Sequence, residues 1–123
     1  MPTIEAFIAE GYSHRQKHEL IEAMTHAVVA SIDAPIDSVR VILNEVGAHD
    51  LGIGGRPAAA LTSPETGQGA ALGIAQAFLI AGRSDEQKRR LIAALTDVLA
   101  GLPGATRSGA AAPALPSVSI FAI

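Results

Sequence analysis

Hydrophobic and polar positions along the chain change rhythm several times, and each change predicts an element. Thr3 to Ala9 is a short run rich in apolar residues, the signature of a strand. Ser13-x-x-Gln16 follows, a capping box in which serine covers one orphan N–H of a helix start and glutamine covers another. Leu20, Met24, Ala27 and Val28 then fall at i, i+4, i+7 and i+8, so a helix runs to about Ile32 with that stripe buried. Asp33-Ala34-Pro35 ends it, because a residue before proline avoids the helical region. Ser38 to Glu45, centred on Val39-Arg40-Val41-Ile42-Leu43, predicts a second strand. Gly52-Ile53-Gly54-Gly55 signals a tight glycine turn or hairpin.

The same plan then recurs. Ile74 to Ile80 is strand-like and Ser84-x-x-Gln87 is a second capping box. Leu91, Leu95, Val98, Leu99 and Leu102 make a helical stripe that Gly101, Pro103 and Gly104 terminate, and Ser117 to Ile123 predicts a last strand. A shift of 71 positions superposes ten identities within residues 6–25, among them Ala6-Phe7 on Ala77-Phe78 and Gln16-Lys17 on Gln87-Lys88. The chain is a tandem duplication. Its first unit spans 1–55, a Gly/Ala-rich linker 56–72, and the second unit 73–123. Matching Ser117-Val118 to Ser38-Val39 gives a shift of 79, which implies about eight residues inserted within Pro103 to Pro116, a stretch of mobile composition.

Two strand–helix–strand units, each parallel and right-handed by the crossover rule, predict one four-stranded sheet with both helices on one face, an α/β (α+β) fold. The other face is then apolar and bare, so burial in an oligomer is expected. Composition agrees with that expectation. Of 123 residues 49% are hydrophobic and 3% aromatic, too apolar for a disordered chain. The absence of cysteine excludes disulfides and thiolate chemistry. A formal charge of −3 and few aromatic rings leave no footprint for nucleic acid. No apolar run is long enough to span a bilayer and no signal peptide is evident, so the expected location is the cytoplasm.

Three segments carry a family resemblance. MPTIEAFIAEGYSHRQKHELIEAM, SIDAPIDSVRVILNEV and GIGG together resemble 4-oxalocrotonate tautomerase and its relatives, and GIAQAFLIAGRSDEQKRRLIAAL resembles the same family a second time. The whole chain is thus similar to a fused member of the tautomerase superfamily, two short subunits joined head to tail. The resemblance implies a cofactor-free isomerase, a small carboxylate substrate, and a homotrimer of fused chains in place of a hexamer of short ones.

Carried over position by position, the family's catalytic proline matches Pro2, with Gly73 as its counterpart. Removal of Met1 would leave Pro2 a free secondary amine, able to act as a base when burial and nearby cations favour its neutral form. The family's first-turn arginine falls on Tyr12 in the first unit and on Arg83 in the second, where it would serve Pro2. The strand arginine matches Arg40, with Ser119 opposite it, and the aromatic wall before GIGG falls on Leu51. Substrate contacts are thus expected from Arg83, Arg40, Leu51 and Tyr12, with one live site per chain. Guanidinium groups would grip a carboxylate and stabilise an enolate. The departures at Tyr12 and Leu51 suggest a smaller substrate, or one with a single carboxylate.

Other constellations carry less. His14, His18, Glu22 and His26 recur every four residues, a metal-like spacing that is more simply a solvated polar face. Asp50 or Glu45 could activate water beside Pro2, as in hydrating and dehalogenating relatives. A retained Met1 would make Pro2 nitrogen an amide and the chain a non-catalytic family member. GIGG lacks the lysine and the following helix of a phosphate loop.

Overall fold

Two serines start the two helices in the same way. The structure is a computed structural model that describes residues 2–61, 73–102 and 117–122. In it Ser13 Oγ accepts from Gln16 N–H at 3.1 Å while Ser13 N–H donates to Gln16 Oε1 at 2.9 Å. Ser84 and Gln87 repeat both bonds at the same lengths. The helices they cap are α1 (His14–Ile32) and α2 (Asp85–Ala100). Asp33, in the left-handed region at φ 54°, closes α1 by donating its N–H to the Val29 carbonyl at 3.0 Å.

Among the described residues six strands accompany the helices. They are β1 (Thr3–Ala9), β2 (Arg40–Val46), the short β3 (Gly52–Ile53) and β4 (Arg56–Pro57), then β5 (Gly73–Leu79) and β6 (Ser117–Ala122). Four form one sheet in the order β2-β1-β5-β6, with parallel outer pairs and an antiparallel middle pair. The remaining two make the glycine hairpin that Gly52 to Gly55 predicts. The expected α/β (α+β) architecture is therefore present, with both units contributing to one sheet.

Alternation decides which face is covered. Ile4, Ala6 and Ile8 of β1 and Ala75, Ala77 and Leu79 of β5 are buried, and they meet Leu20, Met24, Val28, Leu91, Leu95 and Leu99 of the helices. Each fully buried leucine there contributes roughly 1.5–3 kcal/mol. The other face carries Thr3, Glu5, Phe7, Ile74, Gln76 and Phe78, only partly covered, with Ile42 half exposed on β2 and Phe121 on β6. Phe78 and Phe121 stack there with ring centroids 5.3 Å apart.

Strand register exposes the symmetry of the duplication. Thr3 pairs with Phe78 and Phe7 with Ile74, so a pseudo-twofold axis passes between Glu5 and Gln76. The same registers correct one sequence expectation. Arg40 is the partner of Thr3, and Ser117 is the partner of Ile74, the repeat equivalent of Thr3. Ser117, not Ser119, is thus the counterpart of Arg40, and the insertion before it is about six residues instead of eight. The matching Ser-Val pairs misled because Ser38 ends a 3-10 turn (Ile36–Ser38) and β2 begins only at Arg40. Met1, the rest of the 56–72 linker, the 103–116 stretch and Ile123, the last residue of the expected final strand, lie outside the described residues.

Gly82 has a φ of +116° in the turn before Ser84, and Gly11 has +111° before Ser13. A Cβ at Gly82 would meet nothing within 4 Å, so a side chain there is penalised by the backbone alone. Gly82→Ala is expected to cost about 1–3 kcal/mol, read as a lowered midpoint in thermal denaturation. An unchanged midpoint would show that the turn relaxes.

Candidate active site

β1 begins at the end of the sheet where three of the expected residues gather. Pro2 is buried, and its carbonyl accepts the Arg40 N–H at 3.0 Å. Arg40 itself is exposed, on the face away from the helices beside Thr3. Across the antiparallel pair the next position beyond Thr3–Phe78 sets Pro2 opposite Leu79. From Leu79 the chain passes through the Gly82 turn to Arg83, which is half buried. Its Nη1 donates to the Ile32 carbonyl at the last turn of α1, where unsatisfied carbonyls concentrate negative potential. Pro2, Arg40 and Arg83 therefore share one end of the sheet.

Leu51 and Tyr12 do not join them. Val46 pairs with Ala9, so β2 delivers Leu51 and the hairpin to the opposite end, about 20 Å away along a seven-residue strand. Leu51 is fixed there by its carbonyl, which accepts from Ala58 N–H at 2.8 Å. Tyr12 follows Ala9 at that same far end and packs against the core, and burial pushes its phenol pKa up from the ordinary value. Gly73, opposite Ile8, lies there too. The two ends are thus chemically unlike. One carries Pro2 with two arginines, and the other carries Gly73 and Tyr12.

The carboxylates considered for water activation also sit far from Pro2. Glu45 is the partner of Ile8 and forms an ion pair with Lys17, while Asp50 lies beyond the end of β2. Lys17 and Glu45, with His14, His18, Ile21 and Leu43, line a surface cleft of about 350 Å³ between α1 and β2. Among the described residues no group of three or more His, Asp or Glu is placed to hold a metal ion, and His14, His18 and His26 are exposed. No described helix is long and apolar enough to cross a membrane.

Two features escape the sequence. The Arg83–Ile32 bond joins a side chain to a main-chain carbonyl 51 positions earlier, and no residue type signals such an acceptor. The Phe78–Phe121 stack depends on a cross-strand register that only the fold supplies.

A duplicated β-α-β unit forming one four-stranded sheet, with Pro2, Arg40 and Arg83 at one end, is an architecture that known proteins share. The sequence profile described as "Tautomerase enzyme" matches residues 2–60 and 77–109. The chain belongs to the tautomerase family, and its activity is that of a tautomerase, an isomerase. It is similar to a 2-hydroxymuconate tautomerase of Pseudomonas putida, 46% identical over 61 residues, which are 50% of this chain and 97% of that protein. The crystal structure of a native fused 4-OT is similar over 98% of this chain and 86% of its own, at 43% identity and a TM-score of 0.80. F6 fused 4-OT, an asymmetric trimer, is similar over 98% of this chain and 85% of its own, at 33% identity and a TM-score of 0.78.

Proposed function

We propose that the chain is a cofactor-free tautomerase of a small 2-hydroxydienoate or enolised 2-oxo acid, working in the cytoplasm with Pro2 as its base. The observation that carries this reading is the gathering of Pro2, Arg40 and Arg83 at one end of the sheet, while the opposite end offers Gly73 and Tyr12. Pro2 nitrogen would take the proton of the 2-hydroxyl and return one to a carbon of the conjugated chain, leaving a ketone with no net gain or loss of atoms. Arg83 and Arg40 would hold the carboxylate and the enolate oxygen that develops between the two transfers.

Units 1–55 and 73–123, joined by 56–72, would act as one compact domain and assemble as a homotrimer. Leu51 and Tyr12 lie too far from Pro2 in the same chain to touch its substrate, so a neighbouring copy would have to bring them. The half-exposed Ile42 and Phe121 on the uncovered sheet face, and the trimeric state of a similar fused 4-OT, support that assembly.

The test is covalent. A small acetylenic 2-oxo acid should add through its alkyne to a neutral amine, and intact mass should show one adduct per chain. Peptide mapping should place it on Pro2 in a chain lacking Met1. Two adducts per chain, an adduct elsewhere, or a retained Met1 would defeat the proline mechanism.

A further inference from the structure

Arg83, proposed above to hold the substrate, also has a partner within its own chain. Its Nη1 donates to the Ile32 carbonyl, and Ile32 is fully buried at the end of α1, in the other unit of the duplication. The chain on either side of that carbonyl is fixed. Asp33 holds its left-handed conformation with its N–H on Val29, and Ala34 after it is buried. On the arginine side, the Gly82 turn and the Ser84 cap fix the backbone two ways within two residues.

From this geometry we infer that the Ile32 carbonyl is the positioning group for Arg83. One nitrogen of the guanidinium is committed to the end of α1, and the other edge of the same plane stays available for a carboxylate. A guanidinium can do both at once because it presents five N–H donors in a rigid plane. An ammonium has three donors but no planar fork, so it cannot hold the carbonyl on one edge and grip a carboxylate with a parallel pair of bonds on another. The anion clamp beside Pro2 is therefore built jointly by the two units: the second supplies the arginine, and the first supplies the carbonyl that orients it. At the far end Tyr12 occupies the position equivalent to Arg83 and packs against the core, so the duplication keeps the latch at the proline end.

This inference rests on the proposed tautomerase site, and the variants separate the two. Arg83→Ala and Arg83→Lys are compared with the unaltered protein in thermal denaturation without substrate and in turnover of 2-hydroxymuconate. Arg83→Ala is expected to lower the midpoint by about 4 °C, because a charge-assisted bond at a helix end is lost. Arg83→Lys is expected to keep the midpoint within about a degree and to raise KM about tenfold with little change in kcat, since its ammonium can stay on Ile32 but offers a carboxylate no paired, coplanar donors. A merely structural arginine would not give that split. An unchanged midpoint in Arg83→Ala overturns the latch whatever the kinetics show. An unaltered KM in Arg83→Lys overturns its role in positioning. Failure of the proline reading shows elsewhere, as full turnover in a Pro2 variant, because the thermal arm involves no proline chemistry.

Discussion

Pro2→Ala is expected to lower kcat/KM for 2-hydroxymuconate about 10²–10⁴-fold, the range over which a positioned base contributes. The loss should fall mainly on kcat, because in the proposed mechanism Pro2 moves the proton while Arg40 and Arg83 hold the substrate. The fold should survive, since the backbone bond at that position runs from Arg40 N–H to the residue 2 carbonyl, which alanine keeps. Alanine would still offer a primary amine, so some turnover is expected to remain. A companion chain in which Met1 is retained tests the same nitrogen without altering any side chain. There the nitrogen becomes an amide with no basic lone pair, and turnover should be lost more completely than in Pro2→Ala. Equal activity in the unaltered protein and the Met1-retaining chain would sink the mechanism.

Much of the fold is legible in the sequence because local chemistry and repetition agree. The Ser13/Gln16 and Ser84/Gln87 boxes mark the helix starts to the residue, and Thr3–Ala9 is the strand observed. Gly52, Gly54 and Gly55 mark the hairpin. The sheet edges were less legible. Ser38 and Val39 look strand-like from composition, yet the turn that Pro35 initiates consumes them, with Ser38 Oγ donating to the Pro35 carbonyl at 2.7 Å. That turn also explains why a Ser-Val match placed the counterpart of Arg40 two residues late.

The site divided along the same line. Pro2, Arg40 and Arg83 carry motif signals, and the register sets them at one end of the sheet. The remoteness of Leu51 and Tyr12 follows from the direction of β2 and from strand length, which motif spacing does not encode. The orientation of Arg83 depends on a main-chain carbonyl, and main-chain groups are identical at every position of a sequence.

A pair of apolar truncations should separate the core of one chain from the surface where chains meet. Leu95 is fully buried between α2 and the sheet, so Leu95→Ala removes contacts that no neighbouring copy can replace. The expected loss is about 2–5 kcal/mol, a large share of the roughly 5–15 kcal/mol that holds a typical domain folded. Much of that loss should persist at every protein concentration. Ile42 is 50% exposed on the sheet face that the helices leave uncovered. Within a single chain Ile42→Ser removes little buried surface, so a lone chain should tolerate it. In a trimer with that face turned inward, the serine would sit where an isoleucine was covered, and dissociation should set in at higher protein concentration. Because Leu51 would reach Pro2 only from a neighbouring copy, turnover in Ile42→Ser should fall on dilution while the helical signal of the chain persists. Sedimentation and activity followed across one dilution series would read both. Activity independent of concentration in a chain shown to be monomeric would mean that Pro2, Arg40 and Arg83 form a complete site alone, and the trimer would then serve stability only.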